Sequence, residues 1–213
     1  MDDIFEKIEE VHKHLLKQNK FHLLPYTLDD LRDAIIARTN VDEIDFIEIP
    51  TKDLGHDMRI QGKIELFERA PAVYALPNTV AEIYYLDGLS DTKKRFIVCK
   101  EMSHLLIHEG RVRNADELIE LVNTLVLPLP MREFLAKMTN QPQFASEMIA
   151  SFLGLELLCP FQFRDQFLAE LNKKEKSINE IASIFCVPTE SITMLFTPEF
   201  HEAQRSIRKK LKS

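Results

Sequence analysis

RFIVCKEMSHLLIH, residues 95–108, is the stretch of this 213-residue sequence that decides its fold. It contains Lys100-Glu-x-x-His104, which differs at one position from the arrangement H-E-x-x-H. In that arrangement two histidines one helical turn apart hold Zn²⁺, and the glutamate between them activates a metal-bound water. Glu101 stands at the position of this general base and His104 at the position of the second ligand. Lys100 replaces the first ligand, and a protonated lysine has no lone pair to offer a metal.

A second motif lies downstream, where Glu147-Met-Ile-Ala150 is followed by Gly154 and then by Leu157-Leu-Cys-Pro160. Together the two motifs resemble the ImmA/IrrE family of metallopeptidases, formerly called DUF955. Its members typically carry R-F-x-x-A-H-E-x-G-H-L-L-x-H and, downstream, E-x-x-A-x-x-F-A-x-x-L-L-M-P. The resemblance covers roughly residues 60–197. This chain departs from the family pattern at Lys100 (for His), Cys99 (for Ala), Ser103 (for Gly), Cys159 (for Met) and Phe152 (one place early).

The resemblance implies a zincin-like metallopeptidase domain, with Glu101 as the catalytic base and with His104 and Glu147 as zinc ligands. Zinc is the cofactor of the family, but Lys100 stands at the position of the lost first ligand. We therefore expect zinc to be absent or weakly bound in this protein. An ammonium at that position supplies positive charge without a metal, and burying it is costly unless it is paired. We expect Lys100 to contact Glu147 for this reason.

Two alternatives keep a metal in the site. In the first, Lys100 loses its proton and becomes a ligand, which the ordinary ammonium pKa of about 10.4 makes expensive. In the second, His104 and His108 hold the metal in a shifted site that Glu147 or Glu101 completes, since residues four apart share one helix face. With no metal at all, Glu101 and His104 form a hydrogen-bonded polar pair beneath a packed helix.

Three functions follow from these alternatives. The leading interpretation is a pseudo-peptidase that works as a regulatory, protein-binding module. The alternative is an active zinc metallopeptidase with an altered metal site, which cleaves a regulatory protein such as a phage or mobile-element repressor. The weaker alternative is a DNA-binding regulator, based on a helix-turn-helix-like stretch at residues 177–196 and a basic segment at residues 205–212. We expect that stretch to be scaffolding, because Thr189-Glu-Ser-Ile-Thr-Met194 has no Arg or Lys for phosphate or base contacts.

Composition narrows the class of protein and its partners. A net charge of −7 and a pI near 5.6 disfavour general attraction to nucleic acid, because phosphate neutralisation dominates such binding. No apolar run approaches the ~20 residues of a membrane span, and the acidic start MDDIFE is unlike a signal peptide. We therefore expect a cytoplasmic protein that does not bind nucleic acid or a membrane, and the family resemblance implies a protein as its partner or substrate. The scattered cysteines are typical of buried, reduced thiols.

The pattern of apolar residues predicts one α+β domain over residues 1–213, mostly helical with a small, largely antiparallel sheet. Residues 1–40 should form N-terminal helices, residues 41–160 the sheet and the motif helices, and residues 161–213 the C-terminal helices with the helix-turn-helix-like segment. Alternating residues predict strands at 44–49, 60–68, 72–76 and 81–86, and a further helix is expected at 116–127. Histidines outside the motif, including His12 and His201, are expected at the surface.

Overall fold

The described parts of the chain consist of helices and one small three-stranded sheet. The structure, a computed structural model, describes residues 4–20, 23–51, 61–70, 76–108, 142–198, 201, 202 and 205. In chain order its elements are α1 (Ile4–Lys17), α2 (Leu28–Ile36), β1 (Glu43–Ile49), β2 (Gly62–Arg69), β3 (Asn78–Leu86), α3 (Asp91–His108), α4 (Pro142–Leu158), α5 (Phe161–Asn172), α6 (Ile178–Phe185), α7 (Thr189–Ile192) and a 3₁₀ turn (Thr193–Phe196). This arrangement confirms the α+β class.

The three strands form a mixed sheet in the order β1-β3-β2. β1 runs parallel to β3, with Glu43 opposite Val80, whereas β2 runs antiparallel to β3, with Gly62 opposite Tyr85. The prediction of a largely antiparallel sheet is therefore wrong for one of the two strand pairs. Alternation of apolar and polar residues identifies a strand but carries no information about the direction of its neighbour.

Three features named from the sequence fall wholly or mostly on residues outside the described chain. These are the helix at 116–127, the basic segment at 205–212, of which only Arg205 is described, and the strand at 72–76, of which only the last residue is described. That residue, Leu76, is not part of a strand.

The N-terminal helices follow directly from the sequence. Ile4, Ile8 and Val11 point into the core from one face of α1, as helical spacing predicts. α2 begins with a capping box, in which the Asp30 amide donates to the Thr27 hydroxyl at 3.0 Å and the Asp30 carboxylate accepts from the Thr27 amide. This exchange satisfies two backbone donors that the helix start would otherwise leave without partners.

Two histidines expected at the surface are buried. His12 is 3% exposed, and its Nε2 donates to the carbonyl oxygen of Leu157 over 3.3 Å. His201 is 1% exposed; its Nε2 lies 2.6 Å from Asp165, and its ring stacks on Phe161. Both contacts join residues far apart in the chain, so local spacing could not predict them.

α3 lies between the sheet and α4. On one side its Ile97 and Glu101 face Gly62 of β2, and on the other its backbone at Lys100 faces Gly154 of α4. A Cβ atom on Gly154 would lie 2.9 Å from the Lys100 nitrogen and 3.0 Å from its Cα. Real Cβ atoms do not approach backbone so closely, so this crossing of helices requires glycine.

The C-terminal helices join α4 through buried charge. Glu156 and Arg164 form an ion pair of 2.8 Å in which both side chains are 0% exposed. Arg164 also donates to the carbonyl oxygen of Cys159 through Nε and Nη2, at 3.0 and 2.8 Å. These bonds fix the turn at Pro160 between α4 and α5.

Two short helices, α6 and α7, stand where the helix-turn-helix-like segment was predicted. Cys186 ends α6 in the left-handed conformation, with a φ of 53°, at the position where glycine is usual. α7 contains only four residues and continues as a 3₁₀ turn. The structure thus confirms two helices around a turn, and the scaffolding role expected for this segment stays a prediction.

No described helix is both long enough and apolar enough to cross a lipid bilayer.

Candidate functional site

The residues of the first motif, Lys100 to His104, all belong to α3, which begins at Asp91. The Ser90 hydroxyl accepts from the Lys93 amide at 3.4 Å and caps the start of this helix. The helical spacing directs Lys100, His104 and His108 toward one face. The Glu101 and His104 side chains are 3% and 9% exposed, so the motif chemistry is largely shielded from water.

The ammonium of Lys100 lies between two carboxylates. Its Nζ donates to Glu147 Oε2 at 2.5 Å and lies 2.8 Å from Glu101 Oε1. Burial acts to lower the pKa of Lys100, but the two carboxylates outweigh it, and the net effect raises that pKa above its ordinary value. Lys100 is therefore charged at neutral pH and cannot serve as a ligand through its lone pair.

Glu147 reaches the motif from α4 and touches two residues of α3. Its Oε1 lies 3.1 Å from Nε2 of His104, and its Oε2 accepts from Lys100. His104 lowers the pKa of Glu147 most, burial opposes it, and Lys100 lowers it further, to about 2. The Glu147 side chain is 51% exposed, so it forms the mouth of the site.

Ser146 is a residue of this site that the sequence motifs did not identify. Its Oγ lies 3.0 Å from His108 Nε2 and 3.4 Å from His104 Nδ1. The two imidazole rings stack in parallel, with centroids 5.7 Å apart and planes 4° apart. One feature of the sequence could have identified Ser146. It is a polar residue directly before Glu147, and the residues beside it and one helical turn away, Ala145 and Ile149, are apolar and buried.

The first residue of β2 covers Glu101. A Cβ on Gly62 would lie 2.9 Å from Glu101 Oε1, so glycine lets the sheet approach this carboxylate closely. Ile64 and Leu66 follow on the same face of the strand. Leu66 is 46% exposed. β2 therefore lies directly against the motif helix at Glu101, and Leu66 is an exposed apolar residue on the same face of that strand.

The residues around Lys100 do not fit a zinc ion. The ammonium fills the space between the two carboxylates that a cation would need, and His104 Nε2 already faces Glu147. In the shifted alternative, the facing nitrogens of His104 and His108 both point to Ser146. Within the described ranges, no three His, Cys, Asp or Glu side chains are arranged to hold a metal ion.

The structure thus brings together the four residues that the two motifs selected. Lys100, Glu101, His104 and Glu147 make mutual contacts of 2.5 to 3.9 Å. His108 joins this cluster through the Ser146 hydroxyl and by stacking on the ring of His104. Chemically, the cluster is one ammonium balanced against two carboxylates, with two imidazoles beside it.

No protein-family model, curated protein or solved structure matches this chain.

Proposed function

We propose that this protein is a pseudo-peptidase of the ImmA/IrrE type, which acts in the cytoplasm as a regulatory, protein-binding module. One observation carries the proposal: Lys100 Nζ lies 2.5 Å from Glu147 and 2.8 Å from Glu101. The lysine provides in one side chain the positive charge that zinc provides in an active peptidase. The site is then stable without a metal.

The position of Glu101 supports a role other than catalysis. A general base must reach the water that it deprotonates, within about 2.6–3.2 Å. The carboxylate of Glu101 is instead 3% exposed, is in contact with Lys100 and lies under Gly62. These contacts give Glu101 a structural role, as the counter-charge of Lys100.

We assign the protein partner to the surface at which β2 lies against α3. Leu66 of β2, on the face of the strand that Gly62 turns toward α3, is 46% exposed, which offers apolar area to a protein segment. The exposed carboxylate of Glu147 and the net charge of −7 oppose a nucleic acid at this surface. α7 does not support the weaker candidate, a DNA-binding regulator. Its four residues, Thr189–Ile192, include no basic side chain that could contact phosphate or bases.

The first experiment tests the metal. Protein purified without chelator should contain far less than one equivalent of zinc. Lys100→His should create a zinc site, seen as metal-dependent stabilisation of ~3–4 kcal/mol when free zinc exceeds its dissociation constant a few hundredfold. Lys100→Met is the matched control, because it removes the ammonium without adding a ligand, and it should show no such stabilisation. Tightly held, stoichiometric zinc in the wild type would refute the proposal and favour the peptidase.

The second experiment separates binding from catalysis. Wild type and Glu101→Gln are used to capture proteins from source-cell lysate, and both intact proteins and fragments are analysed. A binding module keeps its partner in Glu101→Gln, whereas a peptidase loses roughly 10²- to 10⁴-fold in rate. Leu66→Glu should release the partner, and Leu16→Glu, at a 50% exposed leucine on α1, should not. Fragments made by wild type alone would establish the active peptidase instead.

A further inference from the structure

The contacts of Ser146 form a chain that runs through both histidines to Glu147. His108 Nε2 lies 3.0 Å from Ser146 Oγ, which lies 3.4 Å from His104 Nδ1. On the far side of its ring, His104 Nε2 lies 3.1 Å from Glu147 Oε1. Three side chains thus connect the end of α3 to the ion pair at Lys100.

Glu147 gives this chain a direction. An ionised carboxylate only accepts hydrogen bonds, so the His104 nitrogen that faces it must carry the hydrogen, even though its N–H is not aimed straight at the oxygen. In a neutral ring the other nitrogen, Nδ1, is then an acceptor. Ser146 must donate its hydroxyl hydrogen to it, which leaves the Ser146 oxygen to accept from His108 Nε2.

We propose that Ser146 is a positioning residue, which links His108 and His104 in one directed hydrogen-bond chain and holds both neutral rings in the Nε2–H tautomer. The chain keeps the lone pair of His104 on Ser146, away from Lys100. His104 therefore supports the carboxylate of Glu147 instead of offering a lone pair to a metal. This inference rests on the proposed function, since it describes how the metal-free site is kept in place.

Ser146, His104 and Glu147 also have the connectivity of a serine, histidine and acid triad. Ser146 is nevertheless not a nucleophile in this structure. It is 7% exposed and lies between two imidazole rings that stack 5.7 Å apart. Its hydroxyl already contacts both imidazoles, at 3.0 and 3.4 Å. The arrangement thus suits a hydrogen-bonded link between helices and not an attacking group.

Nitrogen-15 NMR of the histidine rings tests this hydrogen-bond chain. The sample is protein treated with a chelator to remove metal ions, without a partner protein. The spectra are recorded at a pH at which the ring shifts themselves show both rings to be neutral. In the wild type, Nε2 of both His104 and His108 should be of the protonated type, and Nδ1 of His104 should show a hydrogen-bonded lone pair. A His104 ring that carries its hydrogen on Nδ1 would overturn the proposal.

Two variants and a control complete the test. Ser146→Ala should move the His104 Nδ1 resonance to that of a lone pair without a hydrogen-bond donor. Ser103→Ala is the control. Ser103 of α3 is also buried, at 0% exposed against 7% for Ser146, but it donates to the carbonyl of Cys99, so its loss should change neither ring. Glu147→Gln should mix the tautomers of His104, because an amide can face the ring with either a donor or an acceptor. Spectra of Ser146→Ala that match those of the wild type would refute the role of Ser146.

Added zinc separates this inference from the proposed function. If zinc binds the wild type and moves the His104 hydrogen to Nδ1, the proposed function fails. The chain would stand, because its direction would have reversed through Ser146. If zinc has no effect and the metal-free wild type already shows the Nδ1–H tautomer, the chain fails and the proposed function stands.

Discussion

Replacing Lys100 with methionine should destabilise the protein far more than replacing Glu147 with glutamine. The two substitutions remove opposite ends of one 2.5 Å contact, so a simple view of a salt bridge predicts similar costs. The structure predicts a difference because the two ends are not equally buried. The Lys100 side chain is 17% exposed and that of Glu147 is 51% exposed.

The magnitude depends on what each substitution leaves behind. Lys100→Met leaves the carboxylate of Glu101, 3% exposed, without its cation, and removing one partner of a buried pair costs about 3–5 kcal/mol. The partial exposure of Lys100 reduces this to roughly 2–4 kcal/mol. Glu147→Gln removes a half-exposed partner, leaves Lys100 paired with Glu101 and should cost less than about 1 kcal/mol.

Urea denaturation of the two single variants and of the double variant Lys100→Met/Glu101→Gln measures these costs. The double variant buries no unpaired charge, so it should recover to within about 1 kcal/mol of the wild type and be more stable than Lys100→Met alone.

Equal costs for Lys100→Met and Glu147→Gln would refute this reasoning, since the asymmetry of burial would then have no energetic effect. A double variant that is less stable than Lys100→Met would also refute it. In that case Glu101 would be held by contacts other than Lys100, and the balance of charge would not explain the site.

Two further predictions concern the contact between α3 and α4. Gly154→Ala should lower the free energy of unfolding by about 1–2 kcal/mol. Overpacking against the Lys100 backbone costs ~1–3 kcal/mol, and the better helix propensity of alanine returns up to about 1 kcal/mol. A urea denaturation curve identical to that of the wild type would contradict the close approach. The pKa of Glu147, about 2, lies below its ordinary value of 4.5, so its contribution to stability is complete above pH 4.5 and is lost as the pH falls toward 2. Unfolding measured across that range should depend less steeply on pH in Glu147→Gln than in the wild type, and identical slopes would contradict the pairing.

Features with a local physical cause were predictable from the sequence. α1 has its apolar residues at helical spacing, and Thr27 carries the side chain that a helix start requires. The contact between Lys100 and Glu147 was also predictable, since a buried ammonium needs a counter-charge and the downstream motif supplied one. In each case a short stretch, or one rule about burial, was sufficient.

Features that depend on the meeting of distant segments were not predictable. The parallel pairing of β1 with β3 depends on the path of the chain between strands. The role of Ser146 depends on where α4 crosses α3, and the burial of His12 depends on a carbonyl 145 residues away. A pattern read along the chain contains the type of each residue but not the partner that the fold brings to it.

The buried pair of Glu156 and Arg164 has a practical consequence for dividing the protein into fragments. A fragment that ended at Pro160 would keep Glu156, which is 0% exposed in the intact protein. It would lose Arg164, the cation with which Glu156 pairs. A fragment that began at residue 161 would keep Arg164 and lose both Glu156 and the Cys159 carbonyl to which it donates. Limited proteolysis in the turn at Pro160 should therefore give two pieces that stay associated under native conditions and unfold when separated. The motif helices α3 and α4 and the C-terminal helices are therefore best expressed and assayed as one polypeptide.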